Sequence, residues 1–301
     1  MRTPMYCLAV AAGLVASAMA SASGVLAGHW TFDESTGAVA ADSGPNGLDG
    51  ALMGAAAFAP GGVSGNAISL SRTTNDHVDM GNTVFNGQPF SASAWIQTTS
   101  TSDDTFAIGR HYAGTNNGYV LGINRSGGAY GLAGRAWSYV SSSPSGVAIS
   151  STTVTDGQWH HLLMTYSASG LLTIFVDGVR EATMPPQTFN ANTAPFLVGG
   201  LVNQALQSQG VFTGLIDDVQ LYDGVLNGQQ ICFIFNNPGA AASLIIDGDL
   251  NYDGTVNFAD LNLLLSTFNM SGFCLTADIN GDGIVDFGDL NIQLSNFNMS
   301  E

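Results

Sequence analysis

The sequence contains no lysine and only six arginines, against 23 acidic residues, for a net charge of −17. A surface so poor in cations repels phosphate backbones and anionic headgroups, so nucleic acid is not an expected partner. Glutamate is also scarce, with only Glu34, Glu181 and Glu301. Glycoside hydrolysis needs two carboxylates flanking the scissile bond, and none of these glutamates lies in a closely spaced acidic cluster. Asp33-Glu34, Asp103-Asp104 and Asp217-Asp218 are adjacent pairs, whose side chains diverge on a strand. There is no Gly-x-Ser-x-Gly elbow, so no catalytic residue is assigned. A lyase that assembles Tyr, His and Arg only in space would escape this search.

Long apolar runs are missing too, which argues against insertion into a membrane. The one short run, residues 6–19, follows Arg2 and ends in the small-residue stretches Ala18-Met19-Ala20 and Ala20-Ser21-Ala22. This is the pattern of a secretory signal peptide over residues 1–22, and it predicts an exported, extracellular chain. Cysteine is limited to three residues. With Cys7 inside the signal, Cys232 and Cys274 remain, either as a disulfide permitted by export or as two buried thiols.

What the chain has in quantity is strand and turn. Phe90-Ser-Ala-Ser-Ala-Trp95-Ile96, Trp159-His-His-Leu-Leu-Met-Thr-Tyr166 and Leu171-Leu-Thr-Ile-Phe-Val176 are rich in β-branched and aromatic residues, and Gly, Asn, Asp, Ser and Pro separate them. Leu172, Ile174 and Val176 alternate with Thr173 and Phe175 before an Asp177-Gly178 hairpin turn. No helical period appears before residues 226–231. The pattern predicts a mainly β fold, an antiparallel β-sandwich of the jelly-roll kind, over residues 24–236.

Within it, alternation places Leu215, Val219 and Leu221 on one face of a strand with Asp217 among them, and a carboxylate there needs a partner. Arg110, Tyr112, Tyr119, Trp137 and Tyr139 fall in hairpin territory and combine aromatic faces with donors, as a sugar site does. His160 and His161 are adjacent on a strand and point apart, so they are not read as metal ligands.

His29-Trp30-Thr-Phe32-Asp33-Glu34, Asp42-Ser-Gly-Pro-Asn46-Gly, Phe90-Ser-Ala-Ser-Ala-Trp95-Ile96, Asp156-Gly-Gln-Trp159-His-His161, Phe175-Val-Asp177-Gly178 and Gly214-Leu-Ile-Asp217-Asp218-Val-Gln-Leu-Tyr222 follow in order. This series resembles the laminin G-like, or concanavalin A-like, jelly-roll domains of secreted proteins. The resemblance implies a sandwich that binds glycans or proteins, with a structural calcium near Asp217 to which Asp33 or Asp42 contributes. The fold also hosts hydrolases and lyases, so it does not fix an activity.

Residues 237–247, with Pro238 and three alanines, read as a linker. Beyond them one pattern is written twice. Aligning 248–271 with 277–300 gives 15 identities in 24 positions, the mark of a duplicated unit. Each copy places oxygen donors where a calcium-binding loop needs them, with glycine at position 6. In the first loop the donors are Asp249, Asn251, Asp253, the Thr255 carbonyl, Asn257 and Asp260. In the second they are Asp278, Asn280, Asp282, the Ile284 carbonyl, Asp286 and Asp289. An apolar stripe of Leu261, Leu264, Leu265 and Phe268 predicts a helix after the first loop, and Leu290, Leu294 and Phe297, interrupted by Gln293, predict one after the second.

A loop followed by a single helix, duplicated, with Asp at position 12, resembles a type I dockerin over residues 248–301. The resemblance implies a small α-helical domain with two calcium ions that docks onto a cohesin-like domain or cell-surface scaffold. The positions that carry a Ser/Thr pair in dockerins hold Phe258-Ala259 and Phe287-Gly288 here. Calcium binding is therefore supported more directly than a conventional cohesin partner.

The leading expectation is a secreted, non-catalytic protein that binds a polysaccharide or other surface ligand and is attached through its calcium loops. A polysaccharide lyase or glycoside hydrolase on the same fold is the first rival. A structural adhesion or matrix protein, with the calcium module packed internally, is the second.

Overall fold

A computed structural model describes residues 24–300 except 83–86, 88, 103, 114–116, 126–131, 141–146 and 243–244, and the side chains of 125 and 132. The expected signal peptide lies outside the described residues. Among those described, two eight-stranded antiparallel sheets face each other. The first runs Val179–Met184, Leu172–Val176, Trp159–Tyr166, Phe90–Gln97, Gly214–Asp223, Asn66–Leu70 and Ala57–Pro60, with Val25–Trp30 also paired to Gly214–Asp223. The second runs Val147–Thr153, Leu132–Val140, Tyr119–Arg125, Thr105–Arg110, Leu197–Val198, His77–Asp79, Gly50–Met53 and Val39–Ala40.

Alternation decides which residues enter the core between them. Leu172, Ile174 and Val176 are buried there while Thr173 and Phe175 face outward. The Asp177-Gly178 turn closes the hairpin with φ of 51° and 76°, the left-handed pair such a turn requires. The central strand Phe90–Gln97 buries Phe90, Ala92, Ala94 and Ile96 in this core.

The outer face of the first sheet is covered as well. Helix α1, Gly228–Asn236, starts at a capping box in which Asn227 and Gln230 satisfy each other's backbone amides. Its Ile231 and Ile234 pack with Leu26, Leu163, Tyr222, Leu226 and Ala242 in a second apolar cluster. Beneath it, Trp95 stacks on Phe235 with ring centroids 5.7 Å apart.

Of residues 237–247, expected to be a linker, residues 239–242 are pinned to this face. Gly239 N–H donates to Asp218 Oδ2 at 2.8 Å and Ala242 N–H to the Tyr222 hydroxyl at 2.9 Å. Gln220 Nε2 donates to the Ala240 carbonyl at 3.1 Å. The segment's small residues permit this close approach, and its amides bond to buried side chains that local composition does not reveal.

The C-terminal part folds on a pseudo-twofold. Helices α2, Phe258–Ser266, and α3, Phe287–Ser295, begin at the same point of each repeat, with Asn257 and Asp286 as N-caps. Each loop pairs with the tail of the other repeat, Val256 N–H to Met299 O and Val285 N–H to Met270 O. Phe258 meets Phe297, and Phe268 meets Phe287, at 5.0 and 5.1 Å between ring centroids. The helices therefore run antiparallel, over a core of Leu250, Leu264, Ala277, Ile279 and Val285.

The predicted stripes need correction. Leu265 and Leu294 are exposed, and Gln293, the interruption in the second stripe, is buried. It occupies the place of Leu264 and donates to Gly248 O at 3.0 Å. Gln229 of α1 completes the junction, accepting from Gly248 N–H at 2.9 Å and donating to Asp249 O at 2.6 Å. Cys232 and Cys274 form a disulfide, with Cα atoms 4.8 Å apart.

Candidate functional site

Three regions carried predicted site residues. The first is the edge where Asp217 sits. The strand Gly214–Asp223 changes register between Asp217 and Gln220, and Asp218 has φ of 45°, so one extra residue bulges. Consequently Ile216, Val219 and Leu221 enter the core, and Asp217 does not share their face. Asp217 Oδ1 accepts from Asp218 N–H at 2.7 Å and Oδ2 from Ser64 N–H at 3.2 Å. Burial pushes its carboxyl up to about 7.

Asp33 Oδ1 accepts from Asn66 N–H at 2.9 Å, close by on the same turn. Asp42 is committed elsewhere, taking the amides of His29, Gly44 and Leu48 at 2.8 Å each. The three are turn-stabilising acceptors, and Asp42 is not brought to Asp217. Among the described residues no group of three or more His, Cys, Asp or Glu is arranged to hold a metal ion.

The bulge instead creates something the sequence reading missed. Asp218 turns into a buried chain, with Oδ1 2.7 Å from His29 Nε2 and 2.7 Å from Gln220 Nε2. Tyr222 donates to Gln220 Oε1 and accepts from Ala242. This chain holds down residues 239–242. The only sequence signal was the placement of His29, Asp218, Gln220 and Tyr222 on strands that prove to be adjacent.

The second region is the predicted sugar site. Tyr119 lies in the core, its ring 4.5 Å from that of Phe90. Burial raises its hydroxyl pKa far above the usual range. Arg110 is buried and donates to Asn82 O at 2.8 Å. Neither can meet a ligand at the surface. Trp137 is buried on the outer face of the second sheet, over Gly122 and edge-on to Phe106. Tyr139 and Tyr112 are half-buried, and Tyr139 meets His111 edge-on. The five residues thus divide between core and surface.

His160 and His161 do point apart. His160 Nδ1 lies 2.7 Å from Asp177 Oδ2 and Nε2 3.2 Å from Asp156 Oδ1, and the Asp177 bond raises its pKa. His161 is buried beside Trp95, which pushes its pKa down to about 4.

The third region is the pair of loops. Asp249, Asp260, Asp278 and Asp289 are all buried. Asp260 accepts from the amides of Leu250, Asn251 and Asn257 at 2.9, 3.2 and 2.9 Å. Asp249 accepts from Asp253 and Gly254, and Asp278 from Gly281, Asp282 and Gly283. Asp289 repeats the pattern with Asn280 and Asp286. Burial raises the Asp249 and Asp278 pKa values, and the Asp260 and Asp289 charges facing them raise them further. Asn251 and Asn280 turn their side-chain oxygens to the amides of Asp253 and Asp282. Among the described residues no backbone amide donates to the Thr255 or Ile284 carbonyl.

Around these loops the surface is unusually apolar. Ten of the fifteen large exposed apolar residues among those described lie from Tyr252 onward. Six form pairs at equivalent repeat positions with matched exposure: Phe258 and Phe287 at 70% and 69%, Leu265 and Leu294 at 52% and 50%, and Met270 and Met299 at 49% and 52%.

Residues 72–232, more than half of the chain, match the family model of the concanavalin A-like lectin/glucanases superfamily. The chain belongs to that superfamily. Its sandwich is similar to solved structures of low identity, which show the shared fold. One is domain 4 of AbnA, a GH43 extracellular arabinanase from Geobacillus stearothermophilus, in complex with arabinotriose. It has 23% identity and a TM-score of 0.53, with 69% of this chain and 97% of that one covered. Another is the binding domain of Paraclostridial Mosquitocidal Protein 1, at 14% identity and a TM-score of 0.52, covering 71% of this chain and 52% of that one. A third is the receptor-binding domain of botulinum neurotoxin type G, at 13% identity and a TM-score of 0.50, covering 71% and 51%. The chain thus spans about half the length of the two toxin domains. No curated protein matches the sequence.

Proposed function

We propose that this member of the superfamily is an exported, non-catalytic binding protein. Its sandwich takes a glycan, and its C-terminal module, held by two calcium ions, attaches it to a partner. The observation that carries the reading is the matched exposure of Phe258 and Phe287, Leu265 and Leu294, and Met270 and Met299. Apolar side chains concentrated and duplicated in this way form an interaction face.

In residue type and spacing the loop donors suit calcium. They are oxygens only, four of the carboxylates are buried, and residues 245–300 contain no lysine or arginine to neutralise them. Buried carboxylates without a cation are costly, and a hard divalent ion supplies the missing charge. The free Thr255 and Ile284 carbonyls suit the seventh loop position. The module resembles a type I dockerin in spacing, but its contact positions are aromatic, so the partner would offer apolar pockets in place of hydroxyl-bonding groups.

A glycan ligand is supported by the superfamily and by the arabinotriose held in the related arabinanase domain. Export is supported by the signal pattern at 1–22 and by the disulfide, which persists in oxidising compartments. The adhesion reading gains from one observation, the disulfide and Gln229 contacts that fasten module to sandwich. These contacts leave the apolar pairs uncovered, so fastening and docking are compatible.

The attachment is tested by measuring binding of the calcium-loaded chain to a panel of cohesin modules, alongside the double variant Phe258→Ser/Phe287→Ser. Binding that drops about tenfold or more in the variant supports the reading. Failure of every module to bind, or equal binding by the variant, contradicts it.

A further inference from the structure

We propose that the cleft where the C-terminal module meets the outer face of the first sheet binds a neutral saccharide. This rests on the glycan-binding reading and gives it a place and a ligand class. The floor of the cleft follows from strand alternation. With Leu162, Met164 and Tyr166 in the core, Thr165 faces outward, and with Leu172, Ile174 and Val176 in the core so do Thr173 and Phe175. The register sets Thr165 opposite Thr173 and Phe175 opposite Arg180. Two hydroxyls, a ring and a guanidinium therefore form one patch, beneath a cleft of about 350 Å³. That volume falls within the range of small-molecule sites.

The opposite wall is the C-terminal module, and three close approaches fix its distance. A Cβ on Gly228, at the start of α1, would lie 2.3 Å from the Cα of Gly281 in the second loop. The Cys232–Cys274 disulfide crosses the same junction. Gly178, with φ of 76°, passes under Cys274 so closely that a Cβ would lie 2.3 Å from Sγ. Any larger residue at these glycines would push the wall away. On this wall stands Phe273, 71% exposed although it adjoins the disulfide. Its ring contributes nothing to the module core and lines the cleft instead.

The lining suits a sugar. A pyranose or furanose presents an apolar C–H face and a rim of hydroxyls. Phe175 and Phe273 supply apolar faces, while Thr165, Thr173 and Arg180 supply hydrogen-bonding groups. Arg180 makes no hydrogen bond or ion pair among the described residues, so its donors are available. The net charge of −17, with Asp278 and Asp282 on the module side, disfavours an anionic sugar. The site is distinct from Tyr112, Trp137 and Tyr139, which sit with the second sheet and its flanking strands.

The test is calorimetric titration of the full calcium-loaded chain with arabinotriose, xylotriose and cellotriose. It compares wild type with Phe273→Ala, Arg180→Ala and, as a marker of the second sheet, Tyr139→Ala. Phe273 and Arg180 are exposed, and unchanged melting temperatures verify that the variants fold. At least one trisaccharide should bind, weakened about tenfold by Phe273→Ala and about fivefold by Arg180→Ala, with Tyr139→Ala within about twofold of wild type. Unchanged affinity in Phe273→Ala, or loss confined to Tyr139→Ala, overturns the cleft and leaves the glycan reading standing. No binding of any trisaccharide or of a broad polysaccharide array overturns both.

Discussion

Among the described residues the sandwich gathers 33 buried apolar residues into one cluster, whereas the C-terminal module gathers five and buries four carboxylates beside them. Apolar burial is the main term that offsets the entropy of ordering the chain. With only five such residues, the module leans more than the sandwich does on what else is bound or bonded to it. The comparison separates a fold held by apolar burial from one fastened by a disulfide and a buried glutamine and, in the proposed reading, by calcium.

The largest break in this comparison comes from removing the carboxylates at the twelfth loop position. Each of these carboxylates accepts backbone amides, and hydrogen bonds to charged groups contribute about 1.5–3 kcal/mol apiece. The double variant Asp260→Ala/Asp289→Ala should lose both calcium ions and the signals of α2 and α3, with the sandwich transition unchanged. Calcium titration followed by circular dichroism reads both.

The converse variant is Ile96→Ala, which leaves a cavity at the centre of the sandwich core. A loss of about 2–5 kcal/mol is expected in urea unfolding of the sandwich, with calcium affinity unaltered. Replacing both cysteines, Cys232→Ser/Cys274→Ser, removes a closure spanning 42 residues. About 2–4 kcal/mol of stability should be lost, read as a fall in the module's melting temperature, with the sandwich least affected.

The smallest effect concerns pH and sharpens the picture of the sandwich. His161 falls from 6.5 to about 4 on folding, so its contribution is complete above 6.5 and is lost as pH drops towards 4. Asp217 rises from 3.8 to about 7, so its contribution is complete below 3.8 and is lost as pH climbs towards 7. The two oppose each other between pH 4 and 7. Asp217→Asn removes the second, and on acidification the variant should lose up to about 3 kcal/mol more than wild type. Denaturant unfolding at pH 7, 5.5 and 4 checks the slope; parallel curves would contradict the assignment.

Local chemistry was legible in the sequence. The alternation of Leu172, Ile174 and Val176, the Asp177-Gly178 turn and the spacing of the two loops depend on periods of a few residues, and all recur in the structure. What escaped depends on long-range partners. A single bulged residue at Asp218 reversed the face of Asp217. Tyr119 and Arg110 looked like ligand-facing residues until Phe90 and Asn82 were seen to occupy them. Gln293 looked like a flaw in a helix stripe, yet Gly248 is its partner. Residues 237–247 had the composition of a spacer, and partners remote in sequence, Asp218, Gln220 and Tyr222 among them, explain why residues 239–242 are held. The candidate cleft was unreadable for the same reason, since its walls lie almost a hundred residues apart, with Gly178 against Cys274.

Amide hydrogen exchange of the full chain, with calcium and then with excess chelator, tests the central contrast most directly. Protection of the Leu250, Gly254, Asn280 and Gly283 amides should be lost with the metal, while Phe90–Gln97 and Trp159–Tyr166 stay protected. Equal protection of the loop amides in chelator would contradict a module held by calcium.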